Sequence, residues 1–221
     1  MTRAVLLDAL GTLVELQPPT PRLRRLLAEA GHEISEERAA AGFGAEIGYY
    51  LQHHLDGRDR AGLDDLRDRC ARELMEALAL PELDHATARR AMLDALEFQP
   101  FPDVAPALSA LRERGLTLVV ASNWDCSLPD WLGPAGVLEL VDGVVSSADA
   151  GGAKPGPEVF RHALELAGAK PGEAVHVGDS LENDVEGARS AGIRALLLVR
   201  HGEPPAGVEA VRSLAEVPSL V

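Results

Sequence analysis

Apolar residues run through this chain in two rhythms, and each rhythm predicts its own kind of element. The first run, Ala4-Val-Leu-Leu7, is continuous and closes on one carboxylate, Asp8, before Ala9-Leu10-Gly11-Thr12. A short apolar run ended by a glycine turn predicts a buried strand over 4–8. The prolines of Gln17-Pro-Pro-Thr-Pro21 then stop regular structure. Beyond them the apolar positions fall three and four apart. Thr20 and Pro21 predict a helix start, Leu23, Leu26, Leu27 and Ala30 its apolar face, and Gly31 its stop. Ser35 opens the next helix, with Glu36 and Glu37 in its first turn, and a long helical stretch covers 39–55. Leu66, Cys70, Leu74 and Leu78 mark another helix over 63–80, and 87–96 predicts one more. Residues 15–97 therefore form an all-helical segment.

The rhythm changes at the proline-rich return Phe98-Gln-Pro-Phe-Pro102. Helices over 104–114, 157–167 and 183–191 alternate with strands over 116–121, 141–146, 174–177 and 195–199, and a short helix over 208–214 closes the chain. Short apolar strands alternating with helices imply a parallel sheet covered on both faces. The expected fold is α/β: a three-layer, Rossmann-like parallel sheet core from 1–14 and 98–221, interrupted after its first strand by the helical insert 15–97. Ligands in such sheets sit at the carboxyl ends of the strands. Asp8, Ser122 and Asp179 each fall directly after a predicted strand, so three polar residues converge on one sheet edge.

Each candidate residue carries a chemical and a plain reading. Asp8 is placed to be a nucleophile or a metal ligand, with Thr12 across the Gly11 turn to orient an oxygen; the plain reading is a capping Asp in a loop. Ser122 and Asn123 offer a hydroxyl and neighbouring amides to a phosphate, or simply make a turn. Lys154, in Gly151-Gly-Ala-Lys-Pro-Gly-Pro157, is a point charge held by a stiff backbone and suits a phosphate, or is an exposed loop lysine. Asp179 and Asp184, with Ser180 and Asn183 between them, make an oxygen-rich set suited to Mg²⁺, or cap a helix. In the helical segment Tyr49 shares a helix face with His53, and Tyr50 with His54. They line a pocket or pack against a neighbouring helix. The seven histidines show no zinc spacing, and His176, between Val175 and Val177, is expected to be packed.

Composition narrows the partners. The formal charge of -14 repels polyphosphates and anionic membranes, and no basic or aromatic stripe points to nucleic acid. Two isolated cysteines, Cys70 and Cys126, make neither a disulfide scaffold nor a thiolate metal site. No basic start leads into a long apolar run, and no membrane span is expected, so a cytoplasmic location follows. A monomer and a homodimer fit equally well.

Four motifs in order, Asp8-Ala-Leu-Gly-Thr12, Ser122-Asn123, Lys154-Pro155 and Gly178-Asp179 with Asp184, resemble those of the haloacid dehalogenase-like hydrolase superfamily, and the likeness spans nearly the whole chain. By that resemblance the helical insert is a cap that closes over substrate and selects it. Asp8 is then the nucleophile of an aspartyl-phosphate route. Mg²⁺ is held by Asp8, the Leu10 backbone carbonyl and Asp179, with Asp184 close by through water or directly, while Ser122 and Lys154 bind the phosphoryl group and Lys154 also restrains the Asp8 carboxylate. Tyr49, Tyr50, His53, His54, Arg58 and Trp124 are candidate substrate contacts. The departure is Leu10, where phosphatases of the family usually carry a second Asp as general acid. Halide release needs no such acid, so a 2-haloacid dehalogenase is one alternative, although that branch usually loses the Gly-Asp that stands here as Gly178-Asp179. A catalytically weak ligand-binding protein on the same scaffold is the other. The phosphonate-cleaving branch needs a cap lysine, and residues 15–97 contain none. The resemblance thus implies a Mg²⁺-dependent hydrolase of a small phosphorylated metabolite.

Overall fold

The computed structural model describes residues 1–221. They form two compact units, Met1–Glu15 with Gln99–Val221, and Leu16–Phe98.

The first unit is built on a six-stranded parallel sheet. Its strands are β1 (Ala4–Leu7), β4 (Thr117–Ser122), β5 (Gly143–Ser146), β6 (Ala174–Gly178), β7 (Arg194–Leu198) and β8 (Ala210–Val211), in the order β5-β4-β1-β6-β7-β8. All neighbours run parallel. β1 is central and fully buried, which its uninterrupted apolar sequence requires. On one face Leu6, Val119 and Leu197 pack with Val159, Phe160 and Ala163 of α8 (Pro157–Ala167) and with Val185 and Ala188. α5 (Val104–Glu113) covers β4 from the other face and buries Val104, Leu108 and Leu111. Two short helices, α6 (Leu128–Leu132) and α7 (Ser147–Ala150), follow β4 and β5. After β6 comes a wide π-type turn over Leu181–Glu186 and then α9 (Gly187–Ser190).

The second unit holds α1 (Pro19–Glu29), α2 (Glu36–His53), α3 (Arg60–Leu78) and α4 (His85–Ala95). Their apolar stripes meet in one core that includes Leu23, Leu27, Phe43, Leu66, Leu74, Leu78 and Met92. Three of the four helices start on a side-chain cap: Ser35 accepts from Arg38 N, Asp59 from Gly62 N and Asp84 from Thr87 N.

Several local expectations are corrected. α1 starts at Pro19, so Thr20 lies inside the first turn and caps nothing. Val14–Leu16 and Phe98–Pro100 form a two-stranded ribbon, β2 and β3, where the chain leaves and re-enters the first unit; each is too short to show a period. The final helix expected over 208–214 is instead β8 followed by a 3-10 turn, Leu214–Ser219. The edge of β7 was open, and Leu197 N and Val199 N donate to Glu209 O and Val211 O, so pairing overrode a weak helical pattern. No helix is long and apolar enough to cross a membrane.

Candidate active site

The register of the sheet assembles the site. Leu7, the last residue of β1, lies opposite Val120 of β4 on one side and Val177 of β6 on the other. Asp8 therefore leaves the sheet edge between the strands that end in Ser122 and Gly178. Ser122 Oγ donates to Asp8 Oδ1 at 2.9 Å, and Lys154 Nζ donates to the same oxygen at 2.6 Å. Lys154 also donates to Asp184 Oδ1 at 2.6 Å, so one buried ammonium bridges two buried carboxylates. The lysine is held from behind. Asn123 receives Lys154 N on Oδ1 at 2.7 Å and gives Nδ2 to Lys154 O at 2.9 Å. Both ends of the Asn123 amide thus brace the lysine backbone.

Asp184 is fixed as tightly. Its Oδ2 accepts from Ser180 N at 2.9 Å, and its Oδ1 lies 2.9 Å from His176 Nε2. Asp179 is more exposed, yet its carboxylate belongs to the same cluster: one oxygen each from Asp8, Asp179 and Asp184 lie within 4.8 Å of one another. Glycine makes this convergence possible at two points. Gly11 has φ +80°, and a Cβ there would stand 2.2 Å from Asp179 Oδ2. A Cβ on Gly178 would stand 2.2 Å from Asp184 Cγ.

Charge within the cluster is unbalanced. Burial pushes the Asp8 carboxyl above its ordinary range, with the Asp184 charge adding to it and Lys154 opposing it. Partial desolvation and the charges of Asp8 and Asp184 push Asp179 up to about 6. Burial also works against the Asp184 carboxylate, but Lys154 and His176 outweigh it and hold the group well below the carboxylate range. Lys154 is desolvated too, and its two carboxylate partners nonetheless raise it. Three carboxylates facing one ammonium leave a formal deficit of two positive charges. An all-oxygen donor set with that deficit suits a hard divalent cation such as Mg²⁺.

The family model of the haloacid dehalogenase-like hydrolases matches residues 2–192. The chain belongs to the haloacid dehalogenase-like hydrolases. Among curated relatives, phosphoserine phosphatase of Thermus thermophilus is 36% identical over 143 residues, which cover 62% of this chain and 56% of that protein. The chain spans about half the length of the curated relatives it matches. Among solved structures, a HAD phosphatase from Thermococcus onnurineus is 26% identical with a TM-score of 0.69, covering 99% of this chain and 97% of that one. A 2-haloacid dehalogenase from Pseudomonas syringae pv. Tomato shares the fold at 23% identity and a TM-score of 0.71, covering 100% and 98%.

In this haloacid dehalogenase-like hydrolase the remaining candidates fall in different places. Thr12 makes no hydrogen bond to Asp8; its hydroxyl is fully buried and has no hydrogen-bond partner. Trp124 is buried and anchored through its backbone, N donating to Ser147 Oγ and O accepting from Ser147 Oγ, both at 3.0 Å. In the helical unit Tyr49 stacks on His53 with centroids 4.2 Å apart, and Tyr49 Oη accepts from Arg69 Nη1 at 2.8 Å. Tyr50 and His54 are tilted at 6.1 Å, with His54 buried and its Nδ1 3.1 Å from Leu51 O. Arg58 is exposed. Sequence reasoning also missed the polar contact of His176. Alternation on β6 correctly makes it buried, at 0% exposure, but its link to Asp184 spans the turn after the strand and leaves no local signal.

Proposed function

We propose that this hydrolase releases phosphate from a small phosphorylated metabolite, by a Mg²⁺-dependent route through an aspartyl-phosphate on Asp8. The observation that carries the reading is the cluster of Asp8, Asp179 and Asp184 with Lys154 bridging two of the three. A dehalogenase, whose leaving halide carries off its own charge, has no use for three carboxylates converging on one point. The phosphatase names of relatives point the same way.

Asp8, Asp179, Asp184 and the Leu10 carbonyl would hold the ion. Bound there, Mg²⁺ neutralises charge on the phosphoryl oxygens. The rest falls to the chain. Lys154 and Ser122 both engage Oδ1 of Asp8, which leaves Oδ2 as the oxygen to attack. As the bond from Oδ2 to phosphorus forms, the bond from phosphorus to the leaving oxygen breaks. Water then attacks the same phosphorus and returns the Asp8 carboxylate and inorganic phosphate. Lys154 stabilises negative charge in both steps. Leu10 holds no proton, so the leaving group departs as an anion or takes its proton from water. Aryl and acyl phosphates are therefore the favoured chemistry. Tyr49, Tyr50, His53, His54 and Arg58 stand as candidate substrate contacts of a selecting cap.

Purified protein assayed against aryl, acyl and sugar phosphates, with Mg²⁺ and with a chelator, tests the reading. Metal-dependent phosphate release, abolished in Asp8→Asn, is the expected result. No release from any class, or metal-free chloride release from a 2-haloacid, would overturn it.

A further inference from the structure

The turn that carries Asp8 satisfies most of its own backbone. Ala9 O accepts from Thr12 N, Leu13 N and Val14 N at 3.3, 2.8 and 2.9 Å, and Gly11 N donates to Val14 O at 2.8 Å. The carbonyls of Gly11 and Thr12 accept none of these bonds. A single side chain takes both: Arg200 donates Nε to Gly11 O at 3.3 Å and Nη2 to Thr12 O at 2.7 Å. Arg200 lies just past β7, nearly the whole chain away from the turn it grips.

The guanidinium is itself held on two further sides. Asp103 receives Nη1 at 3.0 Å and Nη2 at 3.1 Å, a bidentate pair. Asp103 Oδ2 is fixed in turn by Ser213 Oγ at 2.7 Å and Leu214 N at 2.9 Å. Phe101 lies under the guanidinium, 3.7 Å from ring centroid to Cζ. A planar fork, five donors wide, fits two carbonyls and one carboxylate at once; an ammonium does not. With its side chain only 16% exposed, this is a far more committed placement than the surface ion pairs elsewhere on the chain.

We propose that Arg200 is a positioning residue for the nucleophile turn. Gly11 is the residue whose missing Cβ lets Asp179 approach. Fixing the Gly11 and Thr12 carbonyls sets where that glycine lies, and so the separation of Asp8 from Asp179. Arg200 touches neither carboxylate, so it acts through the backbone alone. The inference rests on the reading of these carboxylates as one divalent site.

Two measurements on the full chain decide it. Hydrogen exchange of the Leu13 and Val14 amides reports how firmly the turn is held, with or without metal. Mn²⁺ affinity by electron paramagnetic resonance reports the consequence for the carboxylates, without substrate. In Arg200→Met both amides should exchange about tenfold faster while those of β1 hold, and Mn²⁺ should bind about tenfold more weakly. Arg200→Lys, retaining the charge but not the fork, should recover part of each. Arg194→Met, which removes an exposed pair with Glu209 at the start of β7, should change neither. If Arg200→Met fails to fold, Asp103→Asn loosens the fork while keeping its carbonyl contacts and should show the same two effects at smaller size. Unchanged exchange in the folded variants overturns the proposal, as does unchanged Mn²⁺ affinity where the wild type binds the ion. A wild type that binds no Mn²⁺ would instead sink the metal reading of the site, and exchange alone would then judge Arg200.

Discussion

Leu10 follows Asp8 by two residues and is 43% exposed, a large apolar side chain in a turn otherwise built for charge. Replacing it with Asp adds a proton carrier without disturbing a packed neighbour. For alkyl phosphates, Leu10→Asp should raise kcat/KM by about 10²- to 10⁴-fold, the usual worth of general acid–base help. For aryl and acyl phosphates, which need less protonation, the gain should be far smaller. A series of substrates graded by leaving-group pKa measures this as a slope that flattens in the variant. An equal gain across the series would mean that Asp at 10 does something other than move protons. Lys154 carries the opposite kind of risk. In Lys154→Met, Asp8 and Asp184 remain buried with no ammonium between them, and breaking such a pair costs about 3–5 kcal/mol. Urea denaturation should show that loss at neutral pH, and it should shrink in acid as the carboxylates protonate. The sequence showed each of these side chains singly, at the end of a strand or in a stiff loop. It could not show that one lysine serves two aspartates, that Asn123 braces its backbone, or that the Thr12 hydroxyl turns inward, since each depends on residues far apart in the chain.

Helices with strong local signals were legible to within a few residues. Ser35 does cap α2, and α8 spans Pro157–Ala167 because proline opens it and Gly168, with φ +60°, closes it. Where local signal was weak, tertiary pairing decided: β8 exists because β7 had an open edge. The segment after Asp179 also departs from a plain α-helix, passing through a π-type turn over Leu181–Glu186 that carries Asp184. Within the helical unit, packing of α2 on α3 has buried an acid. Glu46 is 6% exposed, and desolvation, only partly offset by a hydrogen bond with Cys70, pushes its carboxyl from 4.5 up to about 7. The folded state thus keeps a proton that the unfolded state loses from about pH 4.5 upward. Stability from this group is complete below that pH, falls as pH rises toward 7, and is flat above. The shift is worth about 3 kcal/mol as an order of magnitude. Glu46→Gln should therefore match the wild type near pH 4.5 and exceed it by about 2–3 kcal/mol at pH 8. Denaturation midpoints at several pH values check this, and parallel curves for the two proteins would show that Glu46 reaches water in the fold.

At the scale of the molecule, net charge and site charge act in the same direction. The chain carries a formal charge of -14, and the carboxylate cluster adds a local excess of negative charge inside it. The chain's 21 lysines and arginines fall short of its 35 acids, and the one ammonium inside the cluster is already shared by two aspartates. Monovalent salt screens the outer field over about 8–10 Å but reaches the buried Asp8 and Asp184 poorly. A divalent ion that binds only the folded chain stabilises it by mass action, about 2.7 kcal/mol at a free concentration of 100 times its Kd. Thermal denaturation with rising MgCl₂ should therefore shift upward with the logarithm of concentration. NaCl at matched ionic strength should give a smaller shift that levels off. Asp179→Asn removes one carboxylate of the cluster while leaving the Lys154 bridge between Asp8 and Asp184 intact, so it should keep the NaCl response and lose most of the Mg²⁺ response. If MgCl₂ and NaCl moved the midpoint equally in the wild type, the cluster would be a charged edge that magnesium merely screens, and the phosphohydrolase reading would lose its support.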